Sequence, residues 1–265
     1  MGVLASSCMT YVQIFDTTSL DLEKEENGNY YFENDTVKIT YSFWFEKGIM
    51  SFTIENKLNV PIYVDWKKSS YVGNQVKLNY WSNEVITKSV SSSEQKTYYY
   101  KKANSDQIVS SSSKQVKLSG STTSQERITF IPPKSIIFKN SFHIYPVVRF
   151  DFGANPSFKE EKSNYKAGKM TKIYSKKFEK SNSPAFFRNF LTFSVSEKFE
   201  SEFYVDNGFF ISEVREMKLV QFQEYRKHDN GLFIRDDKGY AVKFSVYSNE
   251  SSFYIHIPKG YQIRN

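Results

Sequence analysis

Between Val37 and Phe45 every odd position is apolar, Val37, Ile39, Tyr41, Phe43 and Phe45, while Lys38, Thr40 and Ser42 fall between them. A period of two is the spacing of one face of a sheet, so the segment predicts a strand with one buried side. The turn Glu46-Lys47-Gly48 leads into Met50-Ser51-Phe52-Thr53-Ile54, which alternates again, and the two segments predict an antiparallel hairpin. A further turn over Glu55–Asn59 feeds Val60–Trp66, where Pro61 lacks an amide donor and belongs at the first residues of a strand or on an edge.

From Ser89 to Gln125 the alternation stops. Ser, Thr, Lys and Gln dominate there and offer little to bury, so a flexible Ser-rich loop over 91–125 is expected, with one short strand at Thr97–Lys101. Order returns at Glu126–Ile131, ended by Pro132-Pro133, and continues in Ser135–Phe138 and Tyr145–Phe150; Phe152–Lys169 reads as a second loop. Strands follow near Thr171–Phe178, Asn189–Ser196, Glu202–Val205 and Gly208–Val214. In the last stretch Leu219–Arg226, Leu232–Arg235, Tyr240–Tyr247 and Ser252–Ile257 are separated by Asp229-Asn230-Gly231, Asp236-Asp237-Lys238-Gly239 and Ser248-Asn249-Glu250, the turn chemistry of a meander. About a dozen strands with no sustained helical period predict an all-β protein. The expected architecture is an antiparallel two-sheet sandwich, immunoglobulin-like, over 9–218, with a C-terminal β-meander over 219–265 packed on the same domain.

Composition points the same way. The chain holds 24 Phe and 19 Tyr, 17% aromatic residues in all, and aromatic side chains suit a pleated, half-buried surface. One cysteine excludes an intramolecular disulfide, so burial alone must hold the core together. The net charge of +7 comes from 36 basic and 29 acidic residues, and the basic ones are scattered beside Glu, as in Lys159-Glu160-Glu161-Lys162. Without a basic arm or an RNA-binding aromatic signature, solvated faces and loops account for the charge, and no nucleic-acid partner is predicted. No apolar run approaches the roughly 18 residues of a membrane-crossing helix.

Catalytic patterns are sparse. The three histidines, His143, His228 and His256, are far apart in sequence, with no His-x-His or Cys pair to build a zinc site. His256 alternates with Ile255 and Ile257 and reads as a solvent-side strand residue. Gly-rich phosphate loops are absent. Most aspartates sit beside turn residues, where Asp bonds the local backbone, and Asp236-Asp237-Lys238-Gly239 lacks the ligand spacing and distal Glu of a calcium loop. No catalytic residue, metal or cofactor is predicted.

Cys8 ends the run Val3-Leu4-Ala5-Ser6-Ser7-Cys8, small residues before a cysteine, as at a lipidation site. The basic and apolar regions of a full lipoprotein signal do not precede it here, and Leu4 lies one position further from the cysteine than in the commonest lipobox. Met1-Gly2-Val3-Leu4-Ala5-Ser6 also fits the myristoylation pattern, with Cys8 as a second acylation site, and an ordinary frayed terminus is a third reading. The lipobox is preferred to both, which makes residues 1–8 a signal remnant and Cys8 a membrane tether set very close to a fold that starts near Tyr11.

The segment Ser6-Ser7-Cys8-Met9-Thr10-Tyr11-Val12-Gln13-Ile14-Phe15 resembles the start of mature lipoproteins of unknown function common in Bacteroidetes. The similarity continues through Tyr31–Asp35, Ile54–Lys57, Ile62–Asp65, Ile131–Ser135, Ser183–Phe187 and Glu202–Val205, covering roughly residues 6 to 216 by pattern. The resemblance implies a β-sandwich associated with the outer membrane, and it assigns no activity. Met9-Thr10-Tyr11-Val12 lacks the acidic cluster of a surface-export signal in such proteins, which implies a periplasm-facing anchor.

Two function classes follow. One is a non-enzymatic lipoprotein domain whose exposed aromatic residues contact a protein or glycan partner. Tyr98, Tyr99 and Tyr100 are its candidate contact residues, because three consecutive side chains of a strand cannot all point inward. Trp44 and Trp66 read as core, and Trp81 is a further aromatic candidate. The other class is a hydrolase, such as a carbohydrate-active sandwich with two carboxylates in one cleft. A soluble interaction module without a lipid anchor is a further alternative. The non-enzymatic reading is preferred.

Overall fold

A computed structural model describes residues 11–81, 126–145, 149–154 and 156–257, and the backbone of four short strands between 86 and 123. The chain opens with β1 (Tyr11–Ser19), β2 (Glu23–Lys24), β3 (Tyr30–Glu33), β4 (Val37–Tyr41) and β5 (Ile49–Asn56). Then come β6 (Ile62–Asp65), β7 (Ser70–Gly73) and β8 (Val76–Asn79), followed by the four backbone strands β9 (Ile86–Thr87), β10 (Thr97–Lys101), β11 (Ile108–Ser112) and β12 (Thr122–Thr123). The central part supplies β13 (Ile128–Ile131), β14 (Ile136–His143), β15 (Phe158–Lys162) and β16 (Met170–Lys177). The chain closes with β17 (Phe186–Ser194), β18 (Glu202–Lys218), one helical turn α1 (Leu219–Phe222), β19 (Gln223–Tyr225), β20 (Lys243–Ser245) and β21 (Ser252–Ile257).

Two antiparallel sheets face each other, as the alternation predicts. The larger runs β13-β6-β17-β18-β1-β21, with β7 and β8 beside β17, and β16 and β15 beside β18. The smaller runs β14-β5-β4-β3-β2. Between them Tyr41, Phe43, Phe52, Phe187, Phe193 and Phe209 are fully buried. Their rings meet across the interior, Tyr41 against Phe209 at 5.0 Å and Phe43 against Phe187 at 5.6 Å, in the edge-on geometry that aromatic quadrupoles favour. A second, smaller cluster of Val12, Ile14, Ile173, Met217 and Phe222 lies on the other face of the large sheet, beneath α1, Trp44 and Tyr254.

The structure departs from the expected elements where long-range contacts override local pattern. The strand expected to reach Phe45 ends at Tyr41, because the next residues cross to the edge of the large sheet. There the Phe43 amide donates to the Glu250 carbonyl, and Phe45 and Lys47 exchange bonds with Tyr254. Phe43 stays in the core, while Trp44 joins the second cluster. The loop expected over 152–169 contains β15, an edge strand whose mostly exposed residues carry no alternation to read. The strands expected at 202–205 and 208–214 are one strand, β18, because Asn207 and Gly208 continue the ladder instead of turning.

No strand forms at Tyr145 or at Arg149 and Phe150, and residues 146–148 of that expected strand lie outside the described residues. The amide and carbonyl of Phe150 are instead taken by the Gln13 side chain at 2.6 and 2.7 Å. The C-terminal meander is partial. Leu219–Phe222 forms α1, β19 pairs with β20, and β21 leaves them to pair with β1 in the large sheet. The expected strand at Thr97–Lys101 is present as β10, paired with β11, and β12 pairs with β9; the other residues of the Ser-rich loop lie outside the described residues.

Candidate functional site

The strand β17 reads Phe-Phe-Arg-Asn-Phe-Leu-Thr-Phe-Ser, with aromatic residues on both parities. Phe187, Asn189, Leu191 and Phe193 turn inward and are buried, which sends Phe186, Arg188 and Phe190 to the outer face of the large sheet. Its neighbour β18 does the same: Val205, Asn207 and Phe209 are interior, so Tyr204, Asp206 and Gly208 are outward. Cross-strand register then sets Phe190 opposite Asp206, Thr192 opposite Tyr204 and Arg188 opposite Gly208. On the other side of β17, Ser194 is opposite Tyr63, and Tyr63 is opposite Phe130.

The outcome is an aromatic strip on an open sheet face. Phe190 buttresses Tyr204, with centroids 5.4 Å apart and planes within 22°, and Tyr204 is 70% exposed. Further along, Tyr63 and Phe130 meet edge-on at 5.7 Å, and Phe130 is 49% exposed. At the opposite end, Phe186 with Leu20, Val72, Gln75, Lys180 and Arg188 lines an open groove. Between the two aromatic pairs the outward-parity residues are covered: Thr192 and Ser194 are buried, with Thr192 Oγ1 donating to the Lys68 carbonyl at 3.3 Å and Ser194 Oγ to the Ser201 carbonyl at 2.8 Å.

Charged groups border the strip in pairs. Arg188 donates to Asp206 at 2.7 Å, Arg127 donates to Asp65 at 2.7 and 3.2 Å, and Lys68 pairs with Glu202. Burial pushes the Asp65 carboxyl up, but the Arg127 guanidinium and the backbone amides of Lys67 and Lys68 outweigh it and hold the group below the usual carboxylate range. The Lys180 ammonium stands over the Phe186 ring at 5.7 Å. Asp206 Oδ1 is buried and has no hydrogen-bond donor among the described residues. Such an orphan acceptor is uncommon in a folded interior.

Residues singled out from sequence fall elsewhere. Cys8 lies outside the described residues, as do the side chains of Tyr98, Tyr99 and Tyr100. Trp66 is core, donating its indole N–H to Thr129 at 2.7 Å, and the half-buried Lys139 ammonium lies over its ring at 4.7 Å. Trp81 packs against the main core and Trp44 against the second cluster. His143 ends β14, His228 is in an exposed turn, and His256 lies 3.3 Å from Glu46 Oε1. Among the described residues no group of three or more His, Cys, Asp or Glu is placed to hold a metal ion, and no helix is long and apolar enough to cross a membrane.

Fold and surface together define an all-β, sandwich-like protein that displays an aromatic strip on its larger sheet. No family model matches the chain, and neither a curated protein nor a solved structure matches it.

Proposed function

We propose that the protein is a non-catalytic binding domain of the cell envelope. It is tethered to the outer membrane through lipid on Cys8 and contacts its partner through the outer face of the large sheet. The tether rests on the Ser6-Ser7-Cys8 sequence and the resemblance to envelope lipoproteins. The contact face rests on one observation above all: Tyr204 is 70% exposed on the outer face of the large sheet, stacked against Phe190. Contiguous exposed apolar surface on a folded domain is characteristic of interaction sites, and Tyr is among the residues enriched in them.

The test is photo-crosslinking in intact cells. A photoreactive amino acid replaces Tyr204 in one variant and Tyr31, a residue of the smaller sheet, in another. Adducts formed from position 204 and not from position 31 support the face; equal labelling at both, or none at 204, removes it.

A further inference from the structure

We infer that the end of the large sheet at which β1 begins docks on an anionic phospholipid bilayer, the surface to which Cys8, on the reading above, tethers the chain. Register defines that end. Tyr11, the first residue of β1, is opposite Lys218, the last of β18, and Ile257, the last of β21. Because Tyr174 is opposite Glu216 in an antiparallel pair, Met170 at the start of β16 overhangs Lys218 by about 7 Å, at about 3.3 Å per residue. The loop 163–169 between β15 and β16 is therefore at the same end, and α1 fixes it there. Asn164 donates its side-chain amide to the Gln221 carbonyl at 2.8 Å and its backbone amide to Gln221 Oε1 at 2.9 Å. The Ser163 hydroxyl accepts from the amides of Tyr165 and Lys166.

This end is basic. Between residues 162 and 178 the chain holds Lys162, Lys166, Lys169, Lys172, Lys176 and Lys177 and no acidic residue, which accounts for most of its net charge of +7. All six are exposed. Glu160 is opposite Lys172 and Glu213 opposite Lys177, while Glu161 is taken by Lys159 at 2.8 Å. Lys162, Lys166 and Lys169, with Lys218 beside them, form no ion pair among the described residues. The Tyr165 phenol registers these cations: its bond with Thr171 and the ammonium groups of Lys218 and Lys166 hold it below the ordinary tyrosine value, against the opposing effect of burial. Met170 is 58% exposed and Val220, in α1, is 48% exposed, so two apolar side chains stand beside the lysines.

Cations without partners attract any polyanion, and the tether selects the bilayer. Three residue steps separate Cys8 from Tyr11, at most about 11 Å of chain, so an acyl group on Cys8 holds Lys218 and the 163–169 loop against the headgroups. Lysines at an anionic lipid surface, with apolar side chains at headgroup level, make an interfacial contact.

The experiment uses the full chain with Cys8→Ser, which carries no lipid, sedimented with phosphatidylcholine vesicles that contain about 30 mol% phosphatidylglycerol or none. The protein binds the anionic vesicles at about 0.05 M NaCl, is released toward about 0.5 M as screening sets in, and leaves the neutral vesicles unbound. Lys162→Gln, Lys166→Gln and Lys169→Gln combined weaken binding on the order of a hundredfold, about fivefold for each lysine at the surface. The same change at Lys77, Lys180 and Lys198, which lie toward the opposite end of β18, weakens it less than about threefold. Circular dichroism confirms that both variants fold. A polarity-sensitive dye on a sole cysteine reads the orientation: its emission shifts to the blue on anionic vesicles at Met170→Cys and stays fixed at Lys198→Cys. No binding to anionic vesicles at low salt, equal binding to neutral ones, equal losses in the two lysine variants, or a shift at 198 and not at 170 overturns the inference. Tighter binding to soluble polygalacturonate than to the vesicles also overturns it, by making an acidic polymer the occupant. Because the tested chain carries no lipid, failure refutes the docking surface and leaves the tether standing, whereas vesicle binding by a chain whose Cys8 takes up no fatty acid in cells refutes the tether alone.

Discussion

The Tyr41 hydroxyl donates to Asn207 Oδ1 at 2.9 Å, tying the middle of the smaller sheet to the longest strand of the larger one. The same hydroxyl accepts from Asn189 Nδ2 at 3.2 Å, and the Tyr80 hydroxyl donates to Asn189 Oδ1 at 2.7 Å. All four residues are buried, and burial pushes the Tyr41 and Tyr80 hydroxyls far above the ordinary tyrosine value, so both stay protonated donors at physiological pH. Because Asn189 and Asn207 lie on β17 and β18, this network sets the inward parity of the two strands. That parity is what sends Phe190, Tyr204 and Asp206 outward.

Replacing Tyr41 with Phe keeps the ring and removes the hydroxyl, leaving Asn207 Oδ1 without its donor and Asn189 Nδ2 without its acceptor. The expected destabilisation is about 1–3 kcal/mol, read as a lower urea midpoint at unchanged slope. An unchanged midpoint contradicts a structural role for the network.

Glu216 is buried and accepts from Gln13 Nε2 at 2.6 Å. Burial pushes its carboxyl up, against the opposing effects of the Gln13 bond and the Arg149 charge, with Asp151 adding to the rise. The folded protein therefore holds the proton more tightly than the unfolded chain. Stability from this group is full below the ordinary glutamate value of about 4.3 and declines as pH rises through the folded-state value. Glu216→Gln removes that decline, so urea midpoints of the variant and the parent diverge as pH rises above the ordinary glutamate value of about 4.3. Parallel curves contradict the assignment.

Gly48 has φ +62°, and a Cβ there would sit 2.8 Å from the buried Phe253 ring. Gly208 lacks a left-handed φ, and its Cβ would meet the end of the exposed Leu20 side chain, also at 2.8 Å. Gly48→Ala is expected to lower the melting temperature by several degrees, a loss of more than about 1 kcal/mol. Gly208→Ala shifts only Leu20 and leaves the melting temperature within about 2 °C of the parent. Equal losses in a thermal scan contradict this contrast.

If Cys8 carries the membrane anchor, Cys8→Ser abolishes incorporation of an alkynyl fatty acid and moves the protein from the membrane pellet to the soluble fraction. Labelling that survives the substitution removes Cys8 as the acylated residue.

The core was legible in sequence because its information is local. Alternation over Val37–Tyr41, Met50–Ile54 and Ile62–Val64 marks side chains that the structure buries. The outer strip was not, because the same alternation assigns the opposite parity to solvent and so passes over an aromatic side chain found there. Its signal was present in Phe186-Phe187 and Phe203-Tyr204, adjacent aromatics that a strand must divide between its two faces. The reach of β18 was hidden for a different reason. Asp206-Asn207-Gly208 has turn chemistry, and only the bond from Tyr41, 166 residues away, makes Asn207 an interior strand residue.

The central claim is that the outer face around Tyr204 is the contact surface. Its most direct test is a 19F spectrum of the protein carrying fluorotyrosine, with Tyr204 and Tyr31 assigned by Phe substitution, recorded with and without a detergent-solubilised extract of the cell envelope. The account predicts that the Tyr204 resonance moves or broadens while that of Tyr31 stays in place. A Tyr204 resonance unmoved by the extract, or a response centred on Tyr31, would contradict it.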